Sequence, residues 1–126
     1  MKKILLVDDD ESFVYLFKKK LEGIDFKGEL ERVSDGVAAL AHITKDLPSS
    51  LPDHIFLDIN MPVMDGFAFL REFRDRQLHS YKRVVITMVT SSVNEWDIKR
   101  SKEHGADYYL VKPVSGEELS TILKRG

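Results

Sequence analysis

The sequence predicts an α/β fold in which five parallel strands form one sheet with helices packed on both faces. Two observations carry that expectation. Short unbroken apolar runs alternate along the chain with segments of helical period, the pattern of strands joined by crossover helices. The chain is 126 residues long with 43% hydrophobic residues, enough for one sizeable core and too little for two ordinary ones, so residues 1–126 are expected to form one domain.

The elements follow in order. "KILLVD" (3–8) reads as the first strand. Asp10 and Glu11 suit the start of a helix whose face is marked by Phe13, Leu16, Phe17 and Leu21, with Gly23 as C-cap and Lys18, Lys19 and Lys20 at its solvated end. "GELERVS" (28–34) alternates, unlike a strand buried on both faces, and is placed at an exposed edge. Val37, Leu40 and Ala41 mark a second helix, and "LPSSLP" (47–52) a longer loop. "HIFLDI" (54–59) is the third strand, followed by turn residue Pro62 and by Asp65 and Gly66 as cap and turn for a helix containing Leu70 and Phe73. "RVVITMV" (83–89) is the fourth strand. Residues 94–104, "NEWDIKRSKEH", have the weakest apolar face of any helix and stop at Gly105. "DYYLVK" (107–112) is the fifth strand, with Tyr108 and Tyr109 on opposite faces, and Leu119, Ile122 and Leu123 mark the last helix.

Composition narrows the function. Charged residues make up 32% of the chain but are interspersed to a net charge of -2, so there is no electrostatic footprint for nucleic acid. Without cysteine there is no disulfide, thiol nucleophile or thiolate metal site. The apolar run Ile4 to Val7 is too short for a signal peptide, and no stretch approaches the roughly 20 apolar residues of a membrane span. A soluble, cytoplasmic protein with no membrane contact is expected. His42, His54, His79 and His104 are scattered without ligand spacing and read as structural or solvent-facing.

Right-handed crossovers bring the C-terminal ends of parallel strands to one edge, where ligands bind at the switch in strand order. Asp8 and Asp9 end the first strand, Asp58 the third, Thr90 follows the fourth, and Lys112 with Pro113 ends the fifth. Close carboxylates repel by about 4 kcal/mol per pair at an effective dielectric near 20, so the cluster calls for a proton or a cation. A hard divalent cation, Mg²⁺ above all, takes such oxygen ligands, and Lys112 adds a fixed positive charge. The set suits phosphoryl transfer, with Asp58 as nucleophile. The plainer alternatives are that Asp8 and Asp9 merely cap a helix and that Thr90 is a strand-end hydroxyl.

"LLVDDDE", "FLDINMPVMDG", "ITMVTSS" and "YYLVKP", in this order over essentially the whole chain, resemble the bacterial response regulator receiver domain, in particular single-domain regulators of the chemotaxis type. The resemblance implies a flavodoxin-like three-layer sandwich with strand order 2-1-3-4-5. It implies Asp58 as phosphoacceptor, Asp9, Asp58 and the backbone carbonyl of Asn60 as Mg²⁺ ligands, and Asp8 as a contributor through water; a register using Asp9 and Asp10 is the alternative. Thr90 becomes the switch hydroxyl, Lys112 the partner of the phosphoryl group, and Tyr109 the switch aromatic. A cis Lys112–Pro113 bond is also implied. Asn60 and Ser92 lie where receivers tune phosphoryl lifetime, and Trp96 with Tyr109 lies on the face that partners commonly read.

The implied phosphodonor is a sensor histidine kinase or histidine phosphotransfer protein, and the downstream partner is a protein target that the sequence does not name. Self-phosphorylation and autodephosphorylation are the most enzyme-like activities expected. Because the chain ends at Gly126 just past the last helix, a complete protein of this length is expected to act through a partner. An aspartyl phosphatase or a flavodoxin-like nucleotide binder is the competing reading. No glycine-rich phosphate loop follows any strand, and no residues remain for a phosphatase cap domain.

Overall fold

The computed structural model describes residues 2–91 and 93–125. Strands β1 (Lys3–Val7), β2 (Glu29–Val33), β3 (His54–Asp58), β4 (Val85–Thr90) and β5 (Tyr108–Val111) alternate with helices α1 (Glu11–Gly23), α2 (Gly36–Thr44), α3 (Gly66–Asp75), α4 (Glu95–Glu103) and α5 (Gly116–Arg125). Every strand pairing is parallel, and the order β2-β1-β3-β4-β5 matches the flavodoxin-like expectation. Strand order therefore reverses beside β1, which places the topological switch point between β1 and β3.

Alternation along the strands divides the core in two. Leu5, Val7, Ile55, Leu57, Ile86 and Met88 pack with Leu40 and Ile43 of α2 and Leu70 and Phe73 of α3. Ile4, Leu6, Phe56 and Val89 pack on the opposite face with Phe13, Val14 and Phe17 of α1 and Leu119, Ile122 and Leu123 of α5. All five residues of β3 are buried, as a central parallel strand requires, whereas β2 is the half-exposed edge that its alternating sequence predicts. Tyr108 joins the α1–α5 side and Tyr109 the α2–α3 side, opposite faces as expected.

Several local expectations are corrected. On α1 the buried face uses Val14 rather than Leu16, which is 49% exposed; on α2 Ala39 and Ile43 are buried while Val37 and Ala41 face solvent. In both helices the buried stripe is rotated about the helix axis from the one that the apolar spacing suggests. Gly23 is the last residue of α1, and the left-handed position falls on Asp25 (φ 55). Phe26 N–H donates to Leu21 C=O at 3.1 Å and Asp25 N–H to Glu22 C=O at 3.1 Å, a Schellman ending that a short polar side chain tolerates. At the end of α4 the same motif uses Gly105 (φ 95), as predicted. β4 begins at Val85 rather than Arg83 and includes Thr90, because Val85 is the first residue to bond back, donating to Asp53 C=O at 2.9 Å.

His54 opens β3 fully buried, stacked 6.3 Å from Phe56, and neither ring nitrogen finds a hydrogen bond among the described residues. Burial, with help from the Lys2 charge, lowers its pKa from 6.5 to about 4. The folded protein thus holds a neutral ring while the unfolded chain takes up a proton below 6.5, so this residue removes stability as pH falls from about 6.5 toward 4. His54→Leu is expected to lose less stability than wild type on going from neutral pH to about pH 5, by about 2 kcal/mol in urea denaturation.

Candidate functional site

The switch point sets the geometry. β1 and β3 run in register, Val7 opposite Leu57, so Asp8 and Asp58 emerge side by side. Asp58 is opposite Val89 and stands next to Thr90 at the end of β4. Thr90 is opposite Val111, and its carbonyl accepts from Lys112 N–H at 2.7 Å, which brings the lysine onto the same edge. The Lys112–Pro113 bond is cis, as the resemblance implies, and so is Leu47–Pro48.

Asp8 is fully buried, Asp58 is 6% exposed and Asp9 faces solvent. One carboxylate oxygen from each lies within 4.8 Å of the others. Lys112 Nζ lies 2.9 Å from Asp8 Oδ2, 3.7 Å from Asp58 Oδ2 and 4.0 Å from Asp10 Oδ2. The remaining oxygens are held by the backbone: Asp8 Oδ1 accepts from Asp10 N–H at 2.9 Å and Asp58 Oδ1 from Asn60 N–H at 3.2 Å. Burial, reinforced by the Asp8 charge and opposed by Lys112, pushes the Asp58 pKa up to about 6.

The donor set fits a hard divalent cation. Asp8 Oδ2 approaches Lys112 as an ion pair outside hydrogen-bonding alignment, so this buried anionic oxygen has no hydrogen bond among the described residues. An unused buried lone pair beside two further carboxylates is the environment that Mg²⁺ or Mn²⁺ occupies.

Beyond Asp58 the chain turns sharply into α3. Met64 N–H donates to Pro62 C=O at 2.7 Å across Val63, which is 94% exposed and adopts φ 67, a conformation costly for a β-branched residue. Asp65 caps α3 by accepting from Ala68 N–H at 2.8 Å. Gly66 permits the close return: its N–H donates to Ile59 C=O at 2.9 Å, and a Cβ there would stand 2.7 Å from Asp58 O.

Asp8, Asp9, Asp58, Thr90 and Lys112 therefore share one edge, as the sequence predicts, and Thr90 is fully buried there. Asn60 lies exposed just beyond Asp58. Tyr109 is half-buried on the α4 side, where burial and the nearby Asp97 charge raise its hydroxyl pKa. Trp96, in the first turn of α4, is 71% exposed with Lys99 Nζ 5.8 Å from its ring centre. Ser92 lies outside the described residues.

Three contributors were not legible. Arg32 reaches from β2 to donate to Asp8 C=O at 3.0 Å while pairing with Glu11 at 2.9 Å. Asp10, read as a cap, does cap α1 through Phe13 N–H but also faces Lys112. Phe13, read as core, lies under the Lys112 ammonium. A groove of about 750 Å³ at the opposite end of the sheet is distant from this chemistry. Its cations already have partners, Lys82 with Asp53 at 2.8 Å and Arg74 with Glu103 C=O at 2.6 Å.

The family model described as the response regulator receiver domain matches residues 4–124. The chain belongs to this family. A hybrid signal transduction histidine kinase of Dictyostelium discoideum, kinase L, is 36% identical over 124 residues, which are 98% of this receiver domain and 7% of that protein. The domain thus spans a small fraction of that relative's length. The Vibrio cholerae chemotaxis protein CheY4 superimposes with a TM-score of 0.81 at 34% identity, covering 99% of this chain and 98% of that one. The Mn²⁺-bound response regulator Rcp1 gives a TM-score of 0.77 at 30% identity, covering 99% and 91%. The receiver domain family is one of phosphoacceptor signalling modules of two-component systems, signalling regulators rather than classical enzymes, and for this domain the phosphatase and nucleotide-binder alternatives are not favoured. Among the described residues no helix is long and apolar enough to cross a membrane.

The Asp58 shift has a stability consequence. Its folded pKa lies above the unfolded 3.8, so the folded state binds more protons between about 4 and 6, and stability falls as pH rises through that window. In chelator at about pH 7.5, Asp58→Asn is expected to exceed wild type by about 2 kcal/mol in denaturant unfolding, and the advantage to disappear toward pH 4.

Proposed function

We propose that Asp58 accepts the phosphoryl group and that Asp9, Asp58 and the Asn60 backbone carbonyl hold Mg²⁺, with Asp8 contributing through water. The observation that carries this reading is the placement of the Asp58 carboxylate, nearly buried at the switch point, beside the Asp8 carboxylate and 3.7 Å from the Lys112 ammonium that pairs with Asp8. A carboxylate oxygen of Asp58 attacks phosphorus. The new O–P bond forms as the P–N bond of a donor phosphohistidine breaks, or the P–O bond of acetyl phosphate, and the leaving imidazole or acetate takes the bond's electron pair. Bound Mg²⁺ supplies charge neutralisation for the phosphoryl oxygens.

The chain's own groups do the rest. Lys112, now shared among carboxylates, turns toward the added phosphoryl charge, and the Thr90 hydroxyl donates to a phosphoryl oxygen. Hydrolysis reverses the state: water attacks phosphorus and Asp58 leaves as a carboxylate. Asn60 and Ser92, the positions at which receivers tune phosphoryl lifetime, set that lifetime here. The donor is a sensor histidine kinase or a histidine phosphotransfer protein in the cytoplasm. Tyr109 moves with Thr90, and the surface around Trp96 and Tyr109 presents the change to a downstream protein. Support for that surface comes from the exposure of Trp96 and from α4, in which Ser101 is the one buried residue.

Incubation with acetyl phosphate and Mg²⁺ is expected to label wild type once, as read by intact mass; excess chelator or Asp58→Asn should abolish the adduct. Undiminished labelling in either case rules out the assignment. Beryllofluoride with Mg²⁺ is expected to change Trp96 fluorescence in wild type. Lys112→Ala should keep its Mg²⁺ affinity and lose most of that response; a normal titration in this variant contradicts the division of roles between metal and ammonium.

A further inference from the structure

Phe13 sits where the site meets the α1–α5 core. It is 6% exposed, its N–H donates to the capping Asp10 carboxylate at 3.2 Å, and its ring centre lies 5.9 Å from that of Phe17, which fixes the ring from behind. Lys112 Nζ lies 4.4 Å from the Phe13 ring centre. The lysine side chain is only 14% exposed, so the ammonium has given up much of its water. Its other neighbours are carboxylates at unequal distances: 2.9 Å to Asp8, 3.7 Å to Asp58 and 4.0 Å to Asp10.

We infer that Phe13 is a positioning residue for the Lys112 ammonium, a pivot that holds the charge while it transfers from Asp8 to the group added at Asp58. This inference rests on the reading of Asp58 as phosphoacceptor. The physical argument concerns what is constant during the transfer. Attraction to Asp8 pins the ammonium away from Asp58, and every ångström moved toward a phosphoryl group weakens that pair. The negative face of an aromatic ring attracts a desolvated ammonium wherever it stands over the ring, so this contact persists in both positions. An aliphatic residue at 13 would fill the same core volume without that attraction. The bland role, core filling alone, accounts for burial against Phe17 but leaves the ring's placement under the ammonium without consequence.

The test is a double-mutant cycle read by beryllofluoride titration in Mg²⁺, with Phe13→Leu, Phe13→Tyr, Lys112→Met and the Phe13→Leu/Lys112→Met pair. Phe13→Leu is expected to weaken beryllofluoride binding by about fivefold while leaving the Mg²⁺ affinity unchanged, and Phe13→Tyr to restore it. In the Lys112→Met background, Phe13→Leu should have no further effect. A second readout is independent of the phosphoryl mimic: the Lys112 ε-methylene protons should resonate upfield in wild type from the ring current and return to ordinary positions in Phe13→Leu. Equal weakening by Phe13→Leu in both backgrounds, no rescue by tyrosine, or no change in either readout would overturn the pivot. Wild type failing to bind beryllofluoride at all would instead remove the phosphoacceptor assignment, a separate outcome. Wild-type binding that depends on Lys112 but not on Phe13 would leave that assignment standing and end this one.

Discussion

Everything at the C-terminal edge of the sheet depends on keeping anionic oxygens in a place with little water. Asp8 and Asp58 are nearly or wholly buried, and the single ammonium of Lys112 lies within 4.0 Å of these two and of Asp10. One positive charge cannot neutralise so many carboxylates; burial first, and then the Asp8 charge, push the Asp58 pKa up to about 6 against the opposing pull of Lys112. The same deficit of positive charge suits the site to a divalent cation. A phosphoryl group accepted at Asp58, as proposed, would arrive where the electrostatics are least settled, so its charge would change the preferred position of nearby groups more than on an exposed surface.

The remainder of the fold holds that imbalance in place. Two core layers clamp the sheet from either side, Leu5, Val7, Ile55 and Leu57 toward α2 and α3, Ile4, Leu6 and Phe56 toward α1 and α5. The strands bearing the acids therefore cannot separate to relieve repulsion without opening a packed core. Gly66 brings α3 against the end of β3, and Arg32 fastens the carbonyl of Asp8 from the neighbouring strand. These contacts fix the backbone beneath the carboxylates, which leaves side-chain rearrangement as the available response to added charge.

Much of this was legible in the sequence because it follows from period and position. A parallel sheet buries both faces of its central strands, so "KILLVD" and "HIFLDI" could be placed without any contact information, and the acids that follow them fell on one edge by topology alone. What was not legible depends on distances between segments far apart in the chain. Phe13 reads as one of several core aromatics until the Lys112 side chain is seen to cross above it, and Arg32 looks like an edge-strand charge until β2 is docked beside β1. Leu16 and Val37 fit buried faces by period alone yet lie exposed, because helical period locates a stripe but not its centre, and the angle at which a helix meets the sheet decides the rest.

The contrast between β3 and α4 has a bearing on how the molecule would wear and be handled in a cell. β3 is buried along its whole length, while among the described residues α4 buries Ser101 alone, beneath a mean hydropathy dominated by charge. Its amides should therefore exchange with solvent through openings far smaller than global unfolding, and a protease that waits for such openings should cut near α4 before it reaches the sheet. The segment that is cheapest to displace is then also the one at which the chain should be most easily cleaved.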